Sequence, residues 1–353
     1  MSLQNVFNPL PYLTDELPGI GGALRARPED FVVEELPAYE PCGEGEHLFL
    51  WIEKRSTSAE QLSRHIARSL GISSREIGTA GLKDRHALTR QYVSVPAGCA
   101  ERVGEIDTPE IRVLRFSRHG NKLRTGHLRG NRFSILVRDV CEDAAHRSAG
   151  IAEQLRRLGF PNYFGRQRFG FGGETRSLGF DLLGGRAVPG DVPRSRRRFL
   201  LRMAISAAQS ELFNEYVAER LEEGLLHRVL PGDVMQVAAS GGPFVAEDPQ
   251  IEQPRFDTFE TVLTGPLFGP KMKRPTGESS SREVRLLDRD GLTIDDFARF
   301  GKIATGTRRA CLVRPGELSV LPQPDGLQFS FTLPRGTYAT VLLREFMKND
   351  RPE

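Results

Sequence analysis

Apolar residues along this chain keep two distinct periods. Between residues 57 and 70 they recur every fourth position, at Leu62, Ile66 and Leu70, the spacing of one helix face. Thr57 and Glu60 have the separation of a capping box and Gly71 offers a left-handed stop, so a helix is predicted between them. Short β-prone runs bounded by Gly and Pro predict strands at Phe31–Glu35 and His47–Glu53, and similar runs do so at Gln91–Val95 and Arg132–Val137. Near the end, Leu327, Phe329, Phe331 and Leu333 alternate with polar neighbours after the turn Pro324-Asp325-Gly326. Further helices are predicted over about 142–158, stopped by Gly159 and Pro161, over about 199–223, and over 339–348. The middle one carries Met203, Ala207, Phe213, Val217 and Leu221 among its apolar positions. Residues 237–285 are rich in Gly, Pro and Ser and predict loops and short strands. Strands and helices mix without βαβ regularity and no repeat is visible, so the fold class is α+β.

Composition narrows this picture. A chain of 353 residues has room for one large or two ordinary domains, and 39% hydrophobic with 27% charged residues suits a globular protein. No apolar run approaches the roughly 20 residues of a membrane helix, and residues 1–10 lack the layout of a secretory signal, so a cytoplasmic protein is expected. Cys42, Cys99, Cys141 and Cys311 are far apart and predict reduced thiols. The histidines are equally scattered, and no metal site is predicted. With no coiled-coil heptads, a monomer is expected.

Charge changes the picture more by place than by amount. The net charge is only +3, yet Arg112–Arg132 holds six Arg, one Lys and two His without an Asp or Glu. A polyanion would relieve that self-repulsion, which points to a phosphate backbone. A second basic run comprises Arg194, Arg196, Arg197 and Arg198. Such runs are often only solvated faces.

One segment bears candidate chemistry: Gly81-Leu82-Lys83-Asp84-Arg85-His86-Ala87-Leu88-Thr89-Arg90-Gln91. It holds a carboxylate between two cations just before a strand. Surface turns often have this composition, but a carboxylate beside cations also stays ionised and suits a nucleophile or base. The segment closely resembles the signature of the TruD family of tRNA pseudouridine synthases. Other elements of that family resemble Arg25–Glu35 (RARPEDFVVEE), Gly130–Phe133 (GNRF) and Pro161–Gly170 (PNYFGRQRFG). Later elements resemble Ser206–Ser210 with Phe213-Asn214, and Gly336–Thr340 with Arg344-Glu345. All stand in the family's order; only about 237–300 has no match.

The resemblance implies a pseudouridine-synthase catalytic domain on a mixed β-sheet, with a second, α+β insertion domain. The boundaries expected are 1–158 for the N-terminal catalytic part, 159–312 for the insertion, and 313–353 for the tail completing the catalytic domain. It implies isomerisation of uridine, at position 13 of tRNA, with Asp84 as the catalytic residue and the base flipped out. Substrate and product have the same atoms, so no cofactor is expected. Asp84 either attacks the anomeric carbon or takes a ribose proton to give a glycal; the sequence leaves both open. Arg25 occupies the family's basic position, where it could hold Asp84 ionised or meet a phosphate. Phe31, Phe133 and Tyr338 are the aromatic candidates for the flipped base, and Asn131 is the amide that would read its edge. In Asn162–Gly170, Arg166 and Arg168 lie among aromatics; a hinge with basic edges is the favoured reading. A non-catalytic RNA-binding protein would need no acid at position 84, and a metal-dependent hydrolase would gather several acids.

Overall fold

The structure, a computed structural model, describes residues 9–349 except 82, 84 and 85. Asp84 therefore lies outside the described residues. Contacts divide the chain into two compact units. One comprises residues 16–157, 314–339 and 343–349; the other comprises 9–15, 158–313 and 340–342. The sequence expectation had assigned the segment up to Asp15 to the same domain as the strands that follow it. The contacts group it with residues 158–313 instead.

The first unit is built on a sheet ordered Gly316–Gln323, Gly326–Pro334, Leu128–Val140, Phe31–Pro37, Leu88–Pro96, His47–Arg55 and Ile111–His119. Two short strands add to it: Gly21–Ala23 pairs with 128–140, and Gly78–Thr79 pairs with 88–96. The pair 31–37 with 88–96 runs parallel and every other pair antiparallel, so the sheet is mixed. The parallel pair requires a crossover, and helix Ala59–Leu70 lies within that connection. Leu62, Ile66 and Leu70 pack on Leu48, Leu50, Ile52, Val93 and Val95. Its cap is one residue later than the spacing suggested: Ser58 and Gln61 form the reciprocal box, while Thr57 Oγ1 donates to the Arg55 carbonyl at 2.8 Å. Gly71 ends the helix at φ +64°, as expected.

Strand His47–Arg55 buries both faces. Phe49 and Trp51 point away from the helix toward Tyr92, Leu123 and Leu128, which explains its almost unbroken apolar run. Strand Ile111–His119 was not predicted. It is an edge strand showing Arg112, Leu114, Arg115, Phe116 and Arg118 to solvent, so it lacks the alternation of a half-buried strand. The expected strands at 132–137 and 327–333 are real and longer, as Leu128–Val140 and Gly326–Pro334. The helix at 142–158 runs Ala144–Leu158, and the last helix is Ala339–Met347.

In the second unit, helix Arg197–Glu222 is the long element expected near 199–223. Helix Glu174–Leu183 packs closely on it; a Cβ at Gly179 would lie 2.1 Å from the Ala204 carbonyl oxygen. A four-stranded sheet runs Pro243–Val245, Val234–Val237, Thr261–Leu267 and Thr307–Ala310. The loops expected over 237–285 give way in part to helices Pro249–Asp257 and Gly277–Arg289. The residues that suggested loops serve as helix starts. Pro249 follows the capping Asp248, and Gly277 to Ser281 fill a first turn. Among the described residues no helix is long and apolar enough to cross a membrane.

Candidate active site

The sequence-predicted site residues that are described, Arg25, Phe31, Asn131, Phe133 and Tyr338, all belong to the unit carrying the large sheet. Strand 31–37 alternates, so Phe31, Val33 and Glu35 share one buried face. Register then sets their neighbours: Phe31 opposes Ile135, Val33 opposes Phe133, and Glu35 opposes Asn131. On the other side of strand 128–140, Phe331 opposes Phe133 and Leu333 opposes Asn131. Gly130 fits between because it has no side chain; a Cβ there would sit 2.1 Å from the Leu333 carbonyl oxygen.

The strand begins in a short 3-10 turn, Pro28–Asp30. Asp30 accepts from the Arg27 backbone N–H at 2.9 Å and forms a two-pronged bond with Arg138 at 2.9 and 2.8 Å. Those Arg138 hydrogen bonds hold the Asp30 carboxyl below its usual range. Asp30 thus anchors the entry of the strand. Just upstream, Arg25 takes φ +60°, a left-handed conformation that costs about 1–2 kcal/mol for a residue with a side chain. This conformation belongs to an Arg25 whose guanidinium stands 4.6 Å from the Phe31 ring centroid.

Phe31 is 1% exposed and meets Phe133 edge to face at 6.4 Å, and Phe133 stacks on Phe331 at 5.2 Å. These two rings are brought together, but as a closed aromatic ladder. Tyr338 is half-buried and precedes the last helix. Its turn is tied to the sheet end that carries Gly130: the Arg335 backbone N–H donates to Arg129 O at 3.3 Å, and its guanidinium to Gly126 O at 2.9 Å.

Two residues that the sequence reading passed over complete the group. Lys83, from the signature segment, lies 2.9 Å from Glu35 Oε2 and donates to Asn131 Oδ1 at 2.8 Å. The Lys83 and Glu35 side chains are 5% and 1% exposed. Glu35 Oε1 accepts from the Tyr92 backbone N–H at 3.3 Å. A signal for Glu35 existed: it has the same strand parity as Phe31 and Val33, so an acid stands on the buried face. Lys83 offered only its charge, with its partner far away in sequence.

The basic stretch splits between the edge strand, the turns after it and the start of strand Leu128–Val140. Arg115 packs over Trp51 at 5.7 Å, while Arg124 and Arg129 are exposed. In the second unit, Phe160–Gly165 is buried and bonded within that unit. Asn214 clamps Phe164 through both backbone groups at 2.8 and 3.0 Å, and Asn162 donates to Ala310 O at 2.9 Å. This element braces the unit internally, whereas a hinge was the favoured expectation. Arg194, Arg196, Arg198 and Arg202 are exposed around the start of the long helix.

The architecture is that of an α+β protein whose mixed sheet holds a buried lysine–carboxylate pair, Lys83 with Glu35. Residues 8–188 and 194–346 match the family model described as tRNA pseudouridine synthase D (TruD), and the chain belongs to that family. It is 46% identical to the tRNA pseudouridine synthase D of Anaeromyxobacter dehalogenans over 341 residues, covering 97% of each chain. Identity to the Thermus thermophilus protein of the same name is 43% over 349 residues, covering 97% of this chain and 94% of that one. The crystal structure of a putative tRNA pseudouridine synthase D from Methanosarcina mazei matches with a TM-score of 0.76 at 26% identity over 96% of both chains.

Proposed function

We propose that this chain isomerises a uridine of tRNA to pseudouridine, that the target is uridine 13, and that Asp84 is the catalytic residue. The activity follows from membership of the family. The observation that carries the assignment of the site is the anchoring of the signature segment: Lys83, next to Asp84, is pinned to Glu35 and Asn131 on the sheet. The reaction breaks the bond between C1′ and N1, turns the uracil, and joins C5 to C1′. The C5 proton leaves and N1 gains one. Asp84 supplies a carboxylate at the sugar, either attacking C1′ or taking the C2′ proton. Arg25 keeps that carboxylate ionised, the target base is flipped out of the tRNA, and Tyr338 covers it while Asn131 meets its edge. Phe31 forms the pocket wall, with Phe133 supporting it from behind. Residues 159–312 form the insertion domain, and the enzyme acts in the cytoplasm as a monomer without a cofactor.

The test is Asp84→Asn, which keeps shape and removes charge. Turnover should fall at least ~10³-fold, about 4 kcal/mol of barrier, with tRNA affinity within a few-fold. Tritium release from uridine-labelled tRNA in the presence of chelator reads the rate. A variant retaining a tenth of wild-type turnover would overturn the role of Asp84.

A further inference from the structure

Resting on that reading of the site, we propose that the buried Lys83–Glu35 pair makes Asn131 a one-way hydrogen-bond donor, and that this selects a keto pyrimidine over an amino one. An asparagine amide ordinarily presents a donor and an acceptor and can exchange them by a half-turn. Here the exchange is blocked. The Lys83 ammonium carries only donors, so the amide atom facing it at 2.8 Å must be the carbonyl oxygen. Turning the amide over would set N–H against N–H beside a buried cation. The NH₂ group therefore faces away from Lys83, and among the described residues no acceptor takes it up.

Lys83 is itself unable to swing away. Its ammonium is ion-paired to Glu35, which bonds the Tyr92 backbone, and both side chains are buried. Leaving Glu35 unpaired would expose a carboxylate to a desolvated setting, so the three groups move together or not at all. The contacts run from the Tyr92 backbone through Glu35 and Lys83 to Asn131 and end in a fixed donor.

A fixed donor distinguishes bases by their exocyclic groups. Uracil offers carbonyl acceptors at O2 and O4, whereas cytosine replaces O4 with an amino donor, which would confront the Asn131 NH₂. The same donor serves the reaction once the base is detached. Uracil that has left C1′ with the bonding pair carries negative charge shared with its carbonyl oxygens, and a donor backed by an ammonium stabilises that charge. Lys83 and Glu35 are positioning residues, acting through Asn131 without touching the base.

The experiment compares affinities for one tRNA carrying uridine or cytidine at the target position, together with single-turnover rates on the uridine form. The wild type should prefer uridine about tenfold, which is about 1.4 kcal/mol. Asn131→Asp keeps a partner for Lys83 but offers an acceptor to the base; its preference should vanish or invert, and turnover should fall at least ~10²-fold. Lys83→Met should bring the preference close to one while overall affinity changes little. Because that variant strands Glu35, the double variant Glu35→Leu/Lys83→Met removes both charges and preserves the fold. It should lose the preference equally, at a melting temperature near wild type. A wild type that makes pseudouridine without preferring uridine, or variants that keep the wild-type preference, overturn the proposal. A wild type that prefers uridine but forms no pseudouridine in any tRNA overturns instead the catalytic reading on which it rests.

Discussion

Both units bury cations against carboxylates, and one pair from each, Arg220–Asp233 and Lys83–Glu35, are finished very differently. In the second unit, Arg220 is 1% exposed and meets both oxygens of Asp233 at 2.8 and 3.0 Å. Its remaining N–H groups go to Leu225 O, Arg228 O and Tyr216 OH, and Asp233 also accepts from Ser279 Oγ and Leu230 N–H. Every direction is used. Around Lys83 and Glu35 the accounting stays open: among the described residues the Asn131 NH₂ has no acceptor, and both side-chain polar atoms of the neighbouring buried Gln91 have no partner. A saturated network fixes a fold, whereas an unsaturated one holds capacity for something that arrives later.

That contrast can be broken first at its rigid end. Arg220→Met leaves Asp233 charged in the interior, and stability should drop by about 3–5 kcal/mol. Turnover per folded molecule should not change, since the pair has no role in chemistry. Chemical denaturation and single-turnover kinetics on the same preparation decide it, and a folded variant with a slowed chemical step would erase the distinction.

The open end is probed at Tyr338. If the ring closes over the base, Tyr338→Phe should be nearly silent, and Tyr338→Ala should cost ~1–3 kcal/mol of stacking seen as slower turnover. Its melting temperature should fall only modestly. An ordinary core ring would instead cost about 3–5 kcal/mol of stability on truncation to Ala, at normal turnover.

How much of this was legible beforehand depended on how each residue is buried. Strand 31–37 and helix 59–70 could be read because their apolar residues keep a strict period on one face. The edge strand 111–119 could not, because neither face is apolar enough to mark it. In the site, Phe31, Asn131 and Tyr338 stand out only through family resemblance. Nothing in local spacing says that a phenylalanine in a strand meets a base. Glu35 and Lys83 escaped because an ion pair between distant segments leaves no periodic trace; only the parity of Glu35 betrays it. Helices 249–257 and 277–289 escaped because their starting residues are those of loops.

A smaller effect tests where the RNA approaches. Arg124→Glu with Arg129→Glu should weaken tRNA binding and flatten its salt dependence, because fewer counterions are released per complex. The single-turnover rate at saturating enzyme should hold. Unchanged affinity and salt slope would make this stretch a solvated face.

The smallest effect concerns a third group, in the second unit, that is partly finished. Burial, reinforced by Asp290 and Glu211, raises the Glu215 carboxyl to about 7, against the opposing pull of Arg289 and Arg176. A carboxyl raised in the folded state binds more protons folded than unfolded, so its contribution is greatest at low pH. Stability is then lost as pH rises from about 4.5 to about 7. Glu215→Gln should flatten the fall in melting temperature between pH 5 and 7.5. An unaltered slope would place the titration on other groups.

The order of the sheet also bears on how the protein is made. Strand 128–140 lies between 31–37, synthesised before it, and 326–334, synthesised nearly 200 residues after it. On the ribosome, its outer edge must wait while the whole of 158–313 emerges. An unpaired strand edge invites pairing with other nascent chains. The intervening segment makes up most of a compact unit and carries its own sheet and buried ion pair, so it has a core to collapse around during that wait. The last strand then arrives to a partner already in register. Truncations released before residue 326 should therefore be the aggregation-prone products of interrupted synthesis.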